Sequence, residues 1–246
     1  MLTEALMLSA LSIQVPGPAM ADFLRDRFGF SDSDVSRVYR GEVVTRKLDS
    51  SSDREVALVG VVRVGASRAR FVAEFEDVES FMTGEAVVRV GSFGDPPALS
   101  DLAALSLSDE DIEALRSCRV GDCDVKLSAE RIEQIGSLDW SAPDDRARLE
   151  RMGRGWLLEY MNDYLRRGNA ALVVYDDRDT PQPLHDGFHA LLSESQYVLE
   201  YAPELHHYLD RYPELLLPEG RDLFFWSVQD VGLKPITTLT HATAFP

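Results

Sequence analysis

The sequence of 246 residues lacks the short motifs that identify common reaction types. It contains no Gly-x-Ser-x-Gly nucleophile elbow and no glycine-rich loop of the kind that holds phosphate groups. Its two cysteines exclude a zinc site built from two cysteine pairs. No apolar run is long enough to span a membrane, and no low-complexity linker divides the chain. The sequence therefore names no reaction, and it predicts one large domain rather than several.

Basic residues are few compared with acidic ones. The chain has 25 Lys and Arg against 42 Asp and Glu, which gives a formal net charge of −17. A surface this acidic repels phosphate backbones and anionic lipid headgroups, so we expect neither nucleic acid nor stable membrane insertion. Neutral or cationic ligands and a basic protein partner remain open. The simplest interpretation of the charge is solubility.

The two cysteines lie close together, in the segment Cys118-Arg119-Val120-Gly121-Asp122-Cys123. Charged neighbours and a glycine are typical of a surface turn, which would let the pair close a small disulfide ring. In the chain-entropy model such a ring contributes about 2 kcal/mol to stability. The alternative is two buried free thiols. A structural disulfide favours an oxidising compartment.

The N-terminal residues resemble the last two parts of a secretory signal peptide. Leu6 to Val15 is mostly apolar, and Pro16 and the triplet Ala19-Met20-Ala21 follow it. The basic segment that opens such a signal is missing, and an amphipathic first helix packed on the core is the alternative. Together with the cysteine pair, this predicts a signal peptide over residues 1–21, cleaved after Ala21, and a periplasmic or secreted protein.

Apolar spacing predicts an α+β fold, with a mostly antiparallel curved sheet packed on one long helix and additional short helices over residues 22–246. The long helix runs from Pro143 to about Arg167. Gly153 and Gly155 weaken it by about 1 kcal/mol each and would permit a close approach to the sheet. Strands are predicted at residues 42–48, 55–64, 86–93, 124–127, 170–175, 223–228 and 236–245, and shorter helices at 22–29, 33–40, 68–81, 183–194 and 196–212, among others.

A sheet curved around a long helix can leave an apolar pocket between them. Trp156 and Tyr160 on the helix, with Phe224, Trp226 and His241 on the last two strands, are the candidate ligand-binding residues. Period-two alternation puts Phe224 and Trp226 on one face of their strand. Core packing is the ordinary alternative for both of these aromatic residues.

His241 is the candidate catalytic residue. The alternation places it on one strand face together with Thr237, Leu239 and Thr243. A histidine with hydroxyl neighbours can orient a ligand or act as a base. The alternative is a hydrogen-bonded histidine on the face of a sheet.

His185 and His189 are four residues apart, which would place both on one helix face, as in zinc-binding His-Glu-x-x-His helices. Asp186 replaces the glutamate and Gly187 weakens the helix, so we interpret the pair as two surface histidines. On the next helix, Glu204 or His207 could supply a third ligand. We expect no metal and no cofactor.

Several short motifs resemble a family of exported bacterial proteins whose activity is uncharacterised. The resemblance covers most of residues 30–245 and implies export but no activity. A weaker similarity links the predicted topology to helix-grip lipid-binding domains of the START type, although those usually end in a long helix and this chain ends in a strand. The motifs are Cys118-Arg119-x-Gly121-x-Cys123-x-Val125-Lys126-Leu127, Asp139-Trp140-x-Ala142-Pro143, Tyr175-x-Asp177, Phe225-Trp226, Gly232-Leu233-Lys234-Pro235 and Thr240-His241.

Three hypotheses of function follow. The first is an exported protein that binds a small hydrophobic or amphipathic molecule between sheet and helix, without catalysis. The second is a hydrolase or isomerase that uses His241 as acid–base. The third is a protein-interaction module with an acidic surface, whose complexes would depend on salt.

Overall fold

The computed structural model describes residues 17–49, 57–141, 144–218, 220–230, 232 and 234–244. These residues fall into two compact units, one up to residue 73 and the other from residue 74 onward. The apolar stretch Leu6–Val15 lies outside the described residues. The signal peptide and the single domain over residues 22–246 therefore stay predictions.

The first unit contains two complete helices, most of a third and a β-hairpin. Its elements are α1 (Gly17–Phe28), α2 (Asp32–Tyr39), β1 (Val44–Leu48), β2 (Ala57–Val61) and most of α3 (Arg68–Glu76). The hydroxyl of Ser31 accepts the amide of Asp34 at 3.2 Å, and the carboxylate of Asp34 accepts the amide of Ser31 at 3.0 Å. This reciprocal cap starts α2. The strands predicted over 42–48 and 55–64 correspond to β1 and β2, which pair antiparallel.

The second unit contains the long helix and most of the strands. Its helices and strands are α4 (Val78–Phe81), β3 (Val87–Ser92), α5 (Asp109–Ser117), α6 (Ala129–Gly136), α7 (Asp145–Arg167), β4 (Val174–Tyr175), β5 (Gln182–Pro183), α8 (Leu184–Glu194), α9 (Gln196–Tyr201), α10 (Pro203–Arg211), β6 (Arg221–Gln229) and β7 (Ile236–Ala244). The prediction of an α+β fold with antiparallel strands and one long helix is confirmed. Pro143, the predicted first residue of that helix, lies outside the described residues.

The main sheet has the order β3-β6-β7, and α7 covers one of its faces. Trp226 lies opposite Gly91 on one side and Leu239 on the other. It is 1% exposed and packs with Leu157 and Leu158 of α7. Its indole nitrogen donates to the carbonyl of Asp101 at 2.9 Å. A side chain at Gly91 would come within 2.7 Å of the indole, so only glycine leaves room for this packing.

The opposite face of the sheet carries a second apolar cluster. Phe225 and Ala242, both buried, pack there against Val78 of α4 and Phe75. Phe224 and Trp226 thus point to the face opposite Phe225, as the alternation predicts. The alternation in β6 therefore decides which aromatic side chains meet α7.

Four predicted elements differ from the structure. The helix predicted over 68–81 is interrupted at Asp77, whose carboxylate accepts the amide of Ser80 and starts α4. The helix predicted over 196–212 breaks at Ala202, because Pro203 disfavours helical geometry in the residue before it. Residues 124–127 form a bend and irregular backbone rather than a strand. The strand predicted over 170–175 is reduced to the two residues of β4, after a 3-10 turn at Gly168–Ala171.

Candidate functional site

A cavity of about 550 Å³ lies along α7 in the second unit. One face of the helix forms one wall of the cavity. Successive residues of this wall are four, three, four and three positions apart, so they lie on the same side of the helix. They are Leu149, Gly153, Trp156, Tyr160 and Asp163. Its other walls come from loops before α5 and α6, from residues around β4, and from Pro235 and Thr237 at the start of β7. The cavity thus touches the main sheet through Thr237.

Gly153 leaves part of this space open. A Cβ built at Gly153 has no described atom within 4 Å, and the same is true at Gly155. The expectation that these glycines permit a close approach to the sheet is therefore wrong. Gly153 lies at the cavity wall, whereas Gly155 faces outward and is exposed.

The apolar part of the wall is buried. Leu105, Leu115, Val125 and Leu149 each have 9% or less of their surface exposed. Leu115, Val125 and Leu149 belong to the same core cluster as Cys118 and Cys123. The cysteines lie at disulfide-bonding distance, with their Cα atoms 4.4 Å apart. The sequence predicts a surface turn here, and residues 119–122 form one, while the two cysteines at its ends are buried in the cluster that forms the apolar wall.

Charged residues of the cavity wall are paired with each other. Arg131 donates to Glu159 at 2.5 Å, and its guanidinium lies 5.3 Å from the ring centre of Trp156. Arg154 donates to Glu150 at 3.0 Å. Glu159 is 66% exposed, which marks the side on which the cavity meets solvent.

Two further ionic groups lie in the wall. The carboxylate of Asp111 is 3.1 Å from the ammonium of Lys234. Burial would raise the pKa of Asp111, but hydrogen bonds from Ser108 and the ammonium of Lys234 outweigh it and hold that pKa below its usual value. Lys126 donates to Gln182 at 3.1 Å and lies over the ring of Tyr175. The wall is therefore amphipathic, with an apolar interior and paired charges.

His241 lies outside the cavity wall, in a cluster of aromatic rings one helical turn farther along α7. Its Nδ1 is 2.9 Å from the hydroxyl of Tyr164, and its Nε2 is 3.1 Å from the carboxylate of Asp222. Since a carboxylate can only accept, Nε2 carries the proton of the neutral imidazole and Nδ1 accepts from Tyr164. Phe224 stacks on the imidazole at 4.5 Å, and Tyr212 lies 4.6 Å away.

The carboxylate of Asp222 accepts hydrogen bonds from two hydroxyl groups of this cluster. Tyr208 donates to it at 2.7 Å and Thr243 at 2.8 Å. Burial would raise the pKa of Asp222, but the hydrogen bonds from His241, Tyr208 and Thr243 outweigh burial and lower it. Burial raises the pKa of Tyr212 to about 12, and it raises the pKa values of Tyr164 and Tyr208 further. The phenols therefore remain protonated donors at neutral pH.

The structure separates the predicted ligand-binding residues into three places. Trp156 and Tyr160 line the cavity. Phe224 and His241 lie in the aromatic cluster, and Trp226 is enclosed in the core between α7 and the sheet. The loops that complete the cavity, at residues 105–107 and 125–128, were not predicted from the sequence. Gly153 within the apolar stripe of α7 was the one signal that could have located the open space.

Within the described residues, no group of three or more His, Cys, Asp or Glu side chains could hold a metal ion. Over the same residues, no helix combines the length and the apolar character needed to cross a membrane. Comparison of the chain with protein-family models, curated proteins and solved structures found no match. The resemblance to an exported bacterial family therefore stays a prediction.

Proposed function

We propose that the protein binds a small apolar or amphipathic molecule in the cavity along α7. The observation that carries this proposal is a cavity of about 550 Å³ with a buried apolar wall. Ligand sites in proteins are usually clefts of roughly 300–1,000 Å³ with apolar walls and a few placed polar groups. The paired charges of the wall suit the polar end of an amphipathic ligand, and the buried leucines suit its apolar part.

Trp156 makes the proposal measurable, because an indole in the cavity wall responds to an occupant. The polarity-sensitive dye N-phenyl-1-naphthylamine should bind and take up excitation energy from the indole. We expect Trp156→Phe to lower this transfer. The two other tryptophans, Trp140 and Trp226, pack in clusters that contain cavity-lining leucines and continue to supply part of it. Dye fluorescence that does not change on adding protein would contradict the proposal.

Gly153 and Gly155 provide a matched pair of variants. Gly153→Leu places a side chain in the cavity, whereas Gly155→Leu places the same side chain in solvent. Displacing about two methylene groups of contact corresponds to roughly 1.6 kcal/mol, or about fifteenfold in affinity. We expect that loss for Gly153→Leu alone. Equal dye affinity for the two variants would place the dye elsewhere.

We also propose that the protein is exported, as the sequence predicts. The support is the pair Cys118 and Cys123 at bonding distance, since disulfides persist in oxidising compartments. Native mass spectrometry of protein purified from such a compartment measures the cleavage after Ala21, the loss of two hydrogens in the disulfide, and any retained ligand. A full-length chain with two free thiols would contradict export. The two other hypotheses, an acid–base enzyme and an acidic protein-interaction module, stay predictions.

A further inference from the structure

A pair of histidines on α8 has a geometry suited to holding a metal ion. His185 and His189 are four residues apart, and their ring centres are 4.4 Å apart. Residues at this spacing lie side by side on a helix. Both side chains are accessible, with 46% and 40% of their surface exposed. The two rings can therefore be reached from solvent together.

Each imidazole has a carboxylate at the same ring nitrogen. Nδ1 of His185 is 3.3 Å from the carboxylate of Asp186, and Nδ1 of His189 is 3.3 Å from that of Asp210 on α10. A carboxylate accepts only, so the hydrogen bond to Asp186 places the proton of neutral His185 on Nδ1, and the nearby carboxylate of Asp210 favours the same tautomer at His189. The lone pair then lies on Nε2, which has no polar partner among the described residues. Histidines that bind metals commonly have this arrangement, with a carboxylate fixing the other nitrogen.

The structure answers one objection that the sequence raised, the effect of Gly187 on the helix. Gly187 does not interrupt α8, which is continuous from Leu184 to Glu194. A Cβ at Gly187 meets no described atom within 4 Å, so the glycine faces open space rather than a bend or a close contact. The backbone therefore holds the two histidines in helical register.

We propose that His185 and His189 chelate one divalent transition-metal ion through their Nε2 atoms. Asp186 and Asp210 are positioning residues that fix the tautomer of each ring. Since no third protein ligand occurs among the described residues, water completes the coordination. Imidazole ligands suit Cu²⁺, Ni²⁺ and Zn²⁺, and the general order of affinity places Cu²⁺ first. The site is separate from the cavity and does not depend on a ligand there.

The chain contains its own controls. It has five histidines, and His206 and His207 form the other close pair. They are adjacent on α10, and their rings are nearly perpendicular, at 85° with centres 5.9 Å apart. Neighbouring residues of a helix point to different faces, so this pair cannot chelate one ion. His207→Gln therefore removes an exposed imidazole without touching the proposed chelate.

The test is titration of the full chain with CuCl₂ at neutral pH, by calorimetry and by electron paramagnetic resonance. We expect one ion per chain with couplings from two nitrogens. His185→Gln and His189→Gln should each remove this signal, and Asp210→Asn should lower the affinity by roughly tenfold. His207→Gln should change neither. Circular dichroism confirms that each surface variant is folded.

The proposal is overturned if Cu²⁺ binds equally well to the His185→Gln, His189→Gln double variant, or if binding depends on His207 as much as on His189. A second measurement needs no metal. Nitrogen-15 shifts of the imidazoles should show the Nδ1–H tautomer at both histidines, and Asp210→Asn should alter it at His189 alone. The Nε2–H tautomer at both rings would also overturn the proposal.

Discussion

Neighbouring positions on α7 differ in what lies against them. Gly153, Trp156 and Tyr160 face a cavity of about 550 Å³. One turn farther on, Tyr164 meets a space filled by rings, with the imidazole of His241 at 5.7 Å and the ring of Tyr212 stacked at 5.2 Å. The first three positions leave room for another molecule, and the space at Tyr164 is closed by hydrogen bonds and ring packing.

The difference shows that aromatic residues at helical spacing do not by themselves indicate a ligand site. Trp156, Tyr160 and Tyr164 form one stripe in the sequence, yet the first two line the cavity and the third binds His241. What separates them is the filling of the space opposite, which rings occupy at Tyr164 and which stays open at Trp156 and Tyr160. We therefore expect changes in the cluster to alter stability, and changes in the cavity wall to alter binding.

The largest effect should come from Gly168, at the end of α7. Its φ is +54°, and a Cβ there would overlap the backbone carbonyl of Tyr212, whose ring belongs to the cluster. We expect Gly168→Ala to lower the free energy of unfolding by more than about 3 kcal/mol. Chemical denaturation measures this. Gly232→Ala is the control, because Gly232 also has a positive φ, +82°, but no described atom lies within 4 Å of its Cβ. Equal losses in the two variants would show that the overlap does not matter.

A smaller effect is expected for His241→Ala. The change removes the hydrogen bonds to Tyr164 and Asp222 and the stacking on Phe224, so we expect a loss of about 2–4 kcal/mol in the free energy of unfolding. Dye binding in the cavity should be unchanged. His207→Ala, on the exposed surface, should lie within about 0.5 kcal/mol of the unaltered protein. If His241→Ala weakened dye binding while leaving stability intact, the division between cluster and cavity would be wrong.

The free energy of unfolding at acidic pH should reveal the contribution of Asp222. Its pKa is lower in the folded protein than the ordinary value of 3.8, so its contribution is complete above that value and is lost as the pH falls through the folded pKa. The carboxylate is one-third exposed, and solvent screening limits the contribution to about 1 kcal/mol. We expect Asp222→Asn to flatten the decline of stability below pH 4, in urea denaturation at a series of pH values. If the decline has the same slope in Asp222→Asn as in the unaltered protein, the charge of Asp222 does not stabilise the fold.

Much of this architecture follows from local chemistry that a sequence displays. The limits of α7, the hairpin β1–β2 and the Ser31 cap rest on glycines, capping side chains and alternation, which act within a few residues. The break at Ala202 was also encoded, in Pro203, but the apolar spacing across it suggested one helix. The 3-10 turn at Gly168 depends on the distant side of the unit, since Asn169 donates to the carbonyls of Leu209 and Asp210.

The site was less predictable than the fold, for a physical reason. A cavity is the space that side chains from distant segments fail to fill, and its one local trace in the sequence is Gly153 within the apolar stripe of α7. Trp156 and Tyr160 could be selected because α7 was placed correctly, whereas Leu105 and Val125 come from loops without periodicity. His241 was assigned to the correct strand face, but its partners Tyr164 and Asp222 lie 77 and 19 residues away in sequence.

The smallest expected effect tests the cavity with one methyl group. Replacing glycine by alanine inside a helix stabilises it by about 0.5–1 kcal/mol, so Gly153→Ala and Gly155→Ala should both raise the free energy of unfolding by that amount. Their dye affinities should differ, because the new methyl group lies in the cavity at position 153 and in solvent at position 155. A methyl that displaces about one methylene of contact lowers the affinity roughly fourfold. Paired unfolding and dye titrations measure both quantities. If both variants gain the same stability and only Gly153→Ala binds the dye more weakly, then binding and folding are separate on this helix. If the two dye affinities are equal, Gly153 borders no binding site.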